Sequence, residues 1–267
     1  MSANAGRCGV RWRGGAARVR VAGRWGTATY VLVHGAWHGG WCWRKLTPLL
    51  RAAGHEVYAP TLTGQGERVH LATPEVSTDT HVQDVCKLLE YEDLSGVVLV
   101  GHSYGGHVIA GVADQAPERL AHLVYLDADS GVFAADGWSY ADVMAAARRA
   151  RGEEQVRPRG DGDVWQERLD GLGIVDSAER RWMAERLAPQ PGKAGSDPLR
   201  LPSGRGQTLP RTFILCTRGP LCSTTSPHPA QRAPGWRFRE LDAGHDPMVT
   251  APRELADLLL EVADTGR

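Results

Sequence analysis

The chain has no excess of either charge, with 31 Lys and Arg against 31 Asp and Glu among 267 residues. That balance leaves no net field to gather nucleic acid or an anionic membrane. No apolar run approaches the ~20 residues that a bilayer-spanning helix needs. No C-x-x-C pair occurs, and the five cysteines (Cys8, Cys42, Cys86, Cys216, Cys222) are odd in number and scattered. Such a set argues against a disulfide framework and against a zinc site, and it makes a reducing cytoplasm the expected compartment. No metal or other cofactor is implied. Acid is missing altogether from residues 1–28, which carry Arg7, Arg11, Arg13, Arg18, Arg20 and Arg24. This leader lacks the continuous apolar core of a signal peptide. It is expected to be a basic, disordered segment, a basic arm for an anionic partner being the alternative.

What the chain does have is a globular composition, 42% hydrophobic and 23% charged, enough for one core in residues 29–267. Short buried-strand runs alternate with helical spacing, as a mostly parallel α/β sheet with helices on both faces requires. Strands are expected at 30–33, 56–59, 97–100, 120–126, 212–216 and 236–241. Helices are expected at 41–53, 78–90, 108–116 and 252–262. Val97-Val98-Leu99-Val100 is apolar throughout, the mark of a central strand covered on both faces. Between about residues 130 and 206 no strand-like run occurs, only helical pieces at 141–150, 164–169 and 178–187 among prolines and glycines. An insertion of that length between strands predicts a helical cap over the sheet.

Gly101-His102-Ser103-Tyr104-Gly105 follows the central strand and opens a helix. A G-x-S-x-G in that setting makes a tight turn with the serine hydroxyl at its apex, above a helix N-terminus that favours developing negative charge. Ser103 is the candidate nucleophile. After the first strand comes His34-Gly35-Ala36-Trp37-His38-Gly39-Gly40, a glycine-rich loop able to aim a backbone N–H at a substrate carbonyl. The N–H groups of Ala36 and Tyr104 form the expected oxyanion hole. A serine hydroxyl needs a base, and His245, in Ala243-Gly244-His245-Asp246 after the last strand, stands where this order of residues puts one. Trp37, His34, His102 and Trp138 are the candidate pocket residues. His34 and His38 also invite a metal reading, but no carboxylate or cysteine pattern completes it.

From Tyr30 onward the chain resembles the α/β-hydrolase superfamily, in particular bacterial esterases related to plant methyl esterases and hydroxynitrile lyases. The resemblance rests on 31–41, on Thr61-Leu62-Thr63-Gly64-Gln65-Gly66-Glu67-Arg68, on 101–106 and on Tyr125-Leu126-Asp127-Ala128. It implies an α/β-hydrolase fold and a serine-dependent hydrolase acting on a carboxylic ester of a small apolar molecule. It also implies a triad aspartate just after the strand at 212–216, where this chain has Thr217-Arg218-Gly219-Pro220 and where Gly219 takes the acid's place. Asp129, beyond the neighbouring strand, is the substitute expected to hold His245. Asp127, part of the segment shared with the family, is expected to be structural. Asp242 and Asp246 flank the histidine in sequence, where neighbours seldom face the same way.

A missing acid keeps other readings open. One is a biosynthetic enzyme of the same fold, performing cyclisation, acyl transfer or C–C bond formation. Another is a binding protein that keeps the pocket without turnover. A hydroxynitrile lyase is disfavoured, because the resemblance would require a lysine where Asp246 stands and a threonine where Gly35 stands. The partner expected is a small-molecule substrate, and no pattern in the chain specifies an oligomeric state.

Overall fold

In the computed structural model, residues 27–128, 136–151, 164–219, 229–231 and 234–265 are described. Apolar runs become the strands β1 (Thr29–Val33), β2 (Glu56–Tyr58), β3 (Val97–His102), β4 (Leu120–Leu126), β5 (Arg211–Cys216) and β6 (Trp236–Leu241). They form one sheet in the order β2-β1-β3-β4-β5-β6, every neighbouring pair parallel. All of β3 is buried, as its unbroken apolar run predicted, and burying each of its aliphatic side chains stabilises the fold by about 1.5–3 kcal/mol. Leaving β1, the chain first builds β2 on one side and then returns to build β3 on the other. Loops at the carboxyl ends therefore diverge between β1 and β3, the place where open α/β sheets leave a crevice.

Side chains alternate across the sheet and so feed two cores. Leu32, Val98, Val100, Val124 and Ile214 face one way, against Trp43, Leu46, Leu50 and the apolar stripe Leu255, Leu259 and Val262. Val31, Val33, Leu99, Leu123 and Phe213 face the other, against Val82, Val85, Leu89, Val108 and Val112. The helices behind these contacts are α1 (Thr47–Ala52), α2 (Thr78–Tyr91), α3 (Tyr104–Gln115), and later α7 (Pro247–Thr250) and α8 (Pro252–Thr265). Ser77 caps α2 reciprocally with Thr80, which satisfies N–H groups that the first turn would otherwise leave unpaired.

The single helix expected over 41–53 is broken in two: a 3₁₀ helix at Gly40–Lys45 and then α1. Pro48 is the reason, since its ring cannot follow a continuous α-helix but fits near the start of a new one. Helix α3 begins at Tyr104 rather than at Val108. Between β4 and β5 lie α4 (Tyr140–Arg151), α5 (Val164–Gly171) and α6 (Ser177–Ala184), close to the three helical pieces read from the sequence. Leu169, Leu172, Met183 and Leu187 from this region join the core that holds Trp43 and Leu255, so α5 and α6 are docked on the body of the sheet. Among the described residues no helix is long and apolar enough to cross a membrane. Cys42 and Cys216 are buried and Cys86 is partly buried. Cys8, Cys222 and the expected leader, apart from its last residues, lie outside the described residues.

Candidate active site

The candidate groups converge at the carboxyl ends of the strands. Ser103 is the residue between β3 and α3, with φ 51° and ψ −119°. That backbone is costly for a non-glycine residue and places the side chain at the tip of the turn. The flanking glycines are compelled by proximity. A Cβ on Gly101 would lie 2.6 Å from the Gly105 carbonyl oxygen, and one on Gly105 would lie 2.5 Å from the carbonyl oxygen of Val33. The turn is thus pressed directly onto the end of β1 and onto the glycine loop that follows it. Gly35 also packs close to the turn, though less tightly, since a Cβ there would lie 3.1 Å from that of Ser103.

The histidine loop completes the set. His245 Nδ1 lies 2.6 Å from Asp127 Oδ2, and Asp127 Oδ1 accepts the Cys216 N–H at 3.1 Å. With Nδ1–H donated to a carboxylate, the remaining nitrogen, Nε2, is the one left to take a proton. The His245 backbone is fixed at both ends, its N–H donating to Leu172 O at 3.1 Å and its C=O accepting from His102 Nε2 at 2.8 Å. Asp127 takes the left-handed φ of 45° directly after β4, which turns its carboxylate across the end of β5 toward His245.

Asp129, the acid expected from the sequence, lies outside the described residues. Among the described residues, the carboxylate bonded to His245 is that of Asp127, expected from the sequence to be structural. The signal that could have found it was its place as the first polar residue beyond an apolar strand, parallel to that of Ser103. Gly219, at the acid's usual place after β5, adopts φ 104°. Its neighbour Arg218 pairs with Asp242 at the surface, so Asp242 does not serve the histidine.

Two of the expected pocket residues are corrected by burial. His34 and His102 are both fully buried. His34 donates from Nδ1 to Gly35 O at 2.8 Å and accepts the Leu62 N–H at Nε2 at 3.0 Å. Burial pushes each of these histidines down to about 3, so both are neutral struts within the protein and present no surface to a ligand. Trp37 is half-buried with φ 69°. The Arg168 guanidinium of α5 lies 3.8 Å over its ring, and its carbonyl accepts the Ala188 N–H at 3.0 Å. Trp138 is 37% exposed, ahead of α4. The residue that does reach the serine from this region is Tyr140, whose hydroxyl is 3.4 Å from Ser103 Oγ. Nothing in the sequence singled it out. Ser139 and Asp142 bond reciprocally around it and cap α4, which fixes the tyrosine at the helix start.

His102, His245 and Asp246 bring potential metal-binding atoms within 4.8 Å of one another. Within this cluster, His245 Nδ1 bonds Asp127, Asp246 Oδ2 bonds His38 at 2.9 Å, and His102 Nε2 bonds the His245 carbonyl, while Asp246 Oδ1 and His102 Nδ1 are buried without a hydrogen bond.

Residues 30–258 match the model of the alpha/beta hydrolase family. The chain belongs to that family. A carbendazim hydrolyzing esterase from Nocardioides is 37% identical over 87% of this chain and 98% of its own. Methylesterase 3 of Arabidopsis thaliana is 29% identical over 88% of this chain and 95% of its own. Among solved structures, an Arabidopsis methylesterase superposes with a TM-score of 0.70 at 25% identity, covering 89% of this chain and 99% of its own. Together these relatives support a carboxylic ester hydrolase as the class of enzyme.

Proposed function

We propose that the protein hydrolyses carboxylic esters of small apolar molecules through Ser103, His245 and Asp127. The observation that carries this reading is the 2.6 Å bond between His245 Nδ1 and Asp127 Oδ2, which sets the tautomer a general base requires. Ser103 Oγ attacks the ester carbonyl while its proton passes to His245 Nε2. The carbonyl π electrons move to oxygen, and the N–H groups of Ala36 and Tyr104 stabilise the resulting oxyanion. Collapse breaks the acyl–oxygen bond, and the alkoxide leaves with the proton from His245. Water, deprotonated by the same nitrogen, then attacks the acyl-serine to release the acid and restore Ser103.

Methyl or similarly small alkyl esters are the substrate class favoured, since two relatives spanning most of the chain are named as a methylesterase and as a carbendazim-hydrolyzing esterase. Trp37 and Tyr140 supply aromatic surface beside the serine for the acyl part. We read residues 29–267 as one hydrolase domain, with 130–206 as its cap, and the odd, scattered cysteines favour the cytoplasm. With Asp127 on the histidine, the biosynthetic reading loses the absent acid that motivated it.

The test is hydrolysis of short p-nitrophenyl esters, together with labelling by a fluorophosphonate. Wild type should turn over and be labelled, and Ser103→Ala should lose both. A wild type that is labelled at Ser103 yet inert towards esters would sink the ester reading and restore the biosynthetic one.

A further inference from the structure

Behind the site lies a second histidine–aspartate pair, joining loops that approach from opposite ends of the sequence. His38 Nδ1 is 2.7 Å from Ala36 O and its Nε2 is 2.9 Å from Asp246 Oδ2. The side chains are 1% and 0% exposed. Neither a peptide carbonyl nor a carboxylate has a hydrogen to give, so both ring nitrogens of His38 donate and the ring is an imidazolium. Direction agrees: the Asp246 carboxylate holds His38 above its usual range despite burial, while His38 holds Asp246 down to about 2. Asp246 Oδ1 lies 3.4 Å from His102 Nε2, the same N–H that grips the His245 carbonyl at 2.8 Å.

We propose that His38, Asp246 and His102 form a buried charged strut that locks the glycine loop, the serine turn and the histidine loop in one geometry, and that they act as positioning residues for proton transfer by His245. This rests on the Ser103–His245 reading above. Each member touches a different part of the machinery: His38 holds the Ala36 peptide, Asp246 follows the base in the chain, and His102 precedes the nucleophile. A buried ion pair gives little net stability compared with an apolar pair of equal volume, so its effect falls on geometry and on local charge. The titratable groups facing Asp246 are His38 from the glycine loop, His102 from β3, His245 from its own loop and the Cys42 thiol from the 3₁₀ helix. His102 cannot take over the positive charge, because its Nδ1 is buried with no acceptor.

Two measurements on the full-length protein test the strut. The first needs no turnover: the ring nitrogens of His38, followed by NMR at pH 8, should keep both protons in wild type and lose one in Asp246→Asn. A neutral His38 in wild type at that pH overturns the proposal, whatever the substrate proves to be. The second is the pH profile of p-nitrophenyl acetate hydrolysis. In His38→Gln the uncompensated Asp246 carboxylate should favour the imidazolium of His245, moving the acid limb of kcat/KM upward by about one pH unit. At the optimum kcat should fall with KM nearly unchanged. The double variant His38→Gln/Asp246→Asn should return the limb to its wild-type position. A limb that stays put in His38→Gln, with only the melting temperature lowered, would make the pair purely structural. If His38→Gln does not fold, Asp246→Asn carries the test through the NMR arm. An inert wild type with a doubly protonated His38 would count against the ester reading and leave the strut standing.

Discussion

Two histidine–aspartate pairs lie side by side in this protein, built from the same chemical groups and put to opposite uses. In the pair His245–Asp127 the side chains retain 11% and 4% exposure, and one ring nitrogen is committed to the carboxylate. In the pair His38–Asp246 exposure is 1% and 0%, and both ring nitrogens are committed. On the proposed mechanism the second nitrogen of His245 carries the proton, whereas both nitrogens of His38 hold that ring in place. The first pair is then the one that serves chemistry and the second the one that serves rigidity.

The sharpest way to separate the pairs is to remove one carboxylate at a time. Asp127→Asn should cut kcat for p-nitrophenyl esters by about 10⁴-fold, as loss of the acid does in serine proteases. Folding stability, measured by urea, should change far less. His38→Leu should strike folding stability as well, destabilising by about 3–5 kcal/mol because it leaves a buried charge unpaired. The double change His38→Leu/Asp246→Leu should recover most of that loss in the same urea titration.

A smaller effect concerns pH. Asp246 is depressed from a usual 3.8 to about 2, so its contribution is complete above about pH 4 and drains away as pH falls towards 2. His38 is raised above its usual 6.5, so its contribution is complete below that value and fades as pH climbs through the raised one. The stability gap between wild type and Asp246→Asn should therefore be widest between about pH 4 and 6.5. A gap that does not vary with pH would break the comparison. Least of all is expected from Asp129→Asn, which should leave kcat within about twofold if Asp127 is the acid.

Much of the fold could be read in advance because its signals are local. Apolar runs gave β1, β3 and β4, and the glycines around Ser103 announced a turn that only a close backbone crossing requires. His245 was singled out by its order in the chain, and the structure sets it against Asp127. The acid was harder to read. Asp127 and Asp129 are two residues apart beyond the same strand, and what brings the Asp127 carboxylate to His245 is a φ of 45°, which no side-chain pattern encodes. His38 and Asp246 are 208 residues apart, and neither carries a local sign of the other. Asp246 brings its carboxylate within 4.8 Å of a His245 ring nitrogen but bonds His38 instead, a choice that depends on tertiary packing alone. Tyr140 was missed for the same reason, since its approach to Ser103 follows from how α4 is laid against the sheet.

The bond between His245 and Asp127 spans 118 residues of sequence, and this has a consequence during synthesis. On the proposed mechanism, a growing chain presents its serine turn and its acid long before its base. While β6 and the loop beyond it are still inside the ribosome, the nucleophile would lack its proton acceptor, so the order of strands along the chain would withhold reactivity from an unfinished molecule.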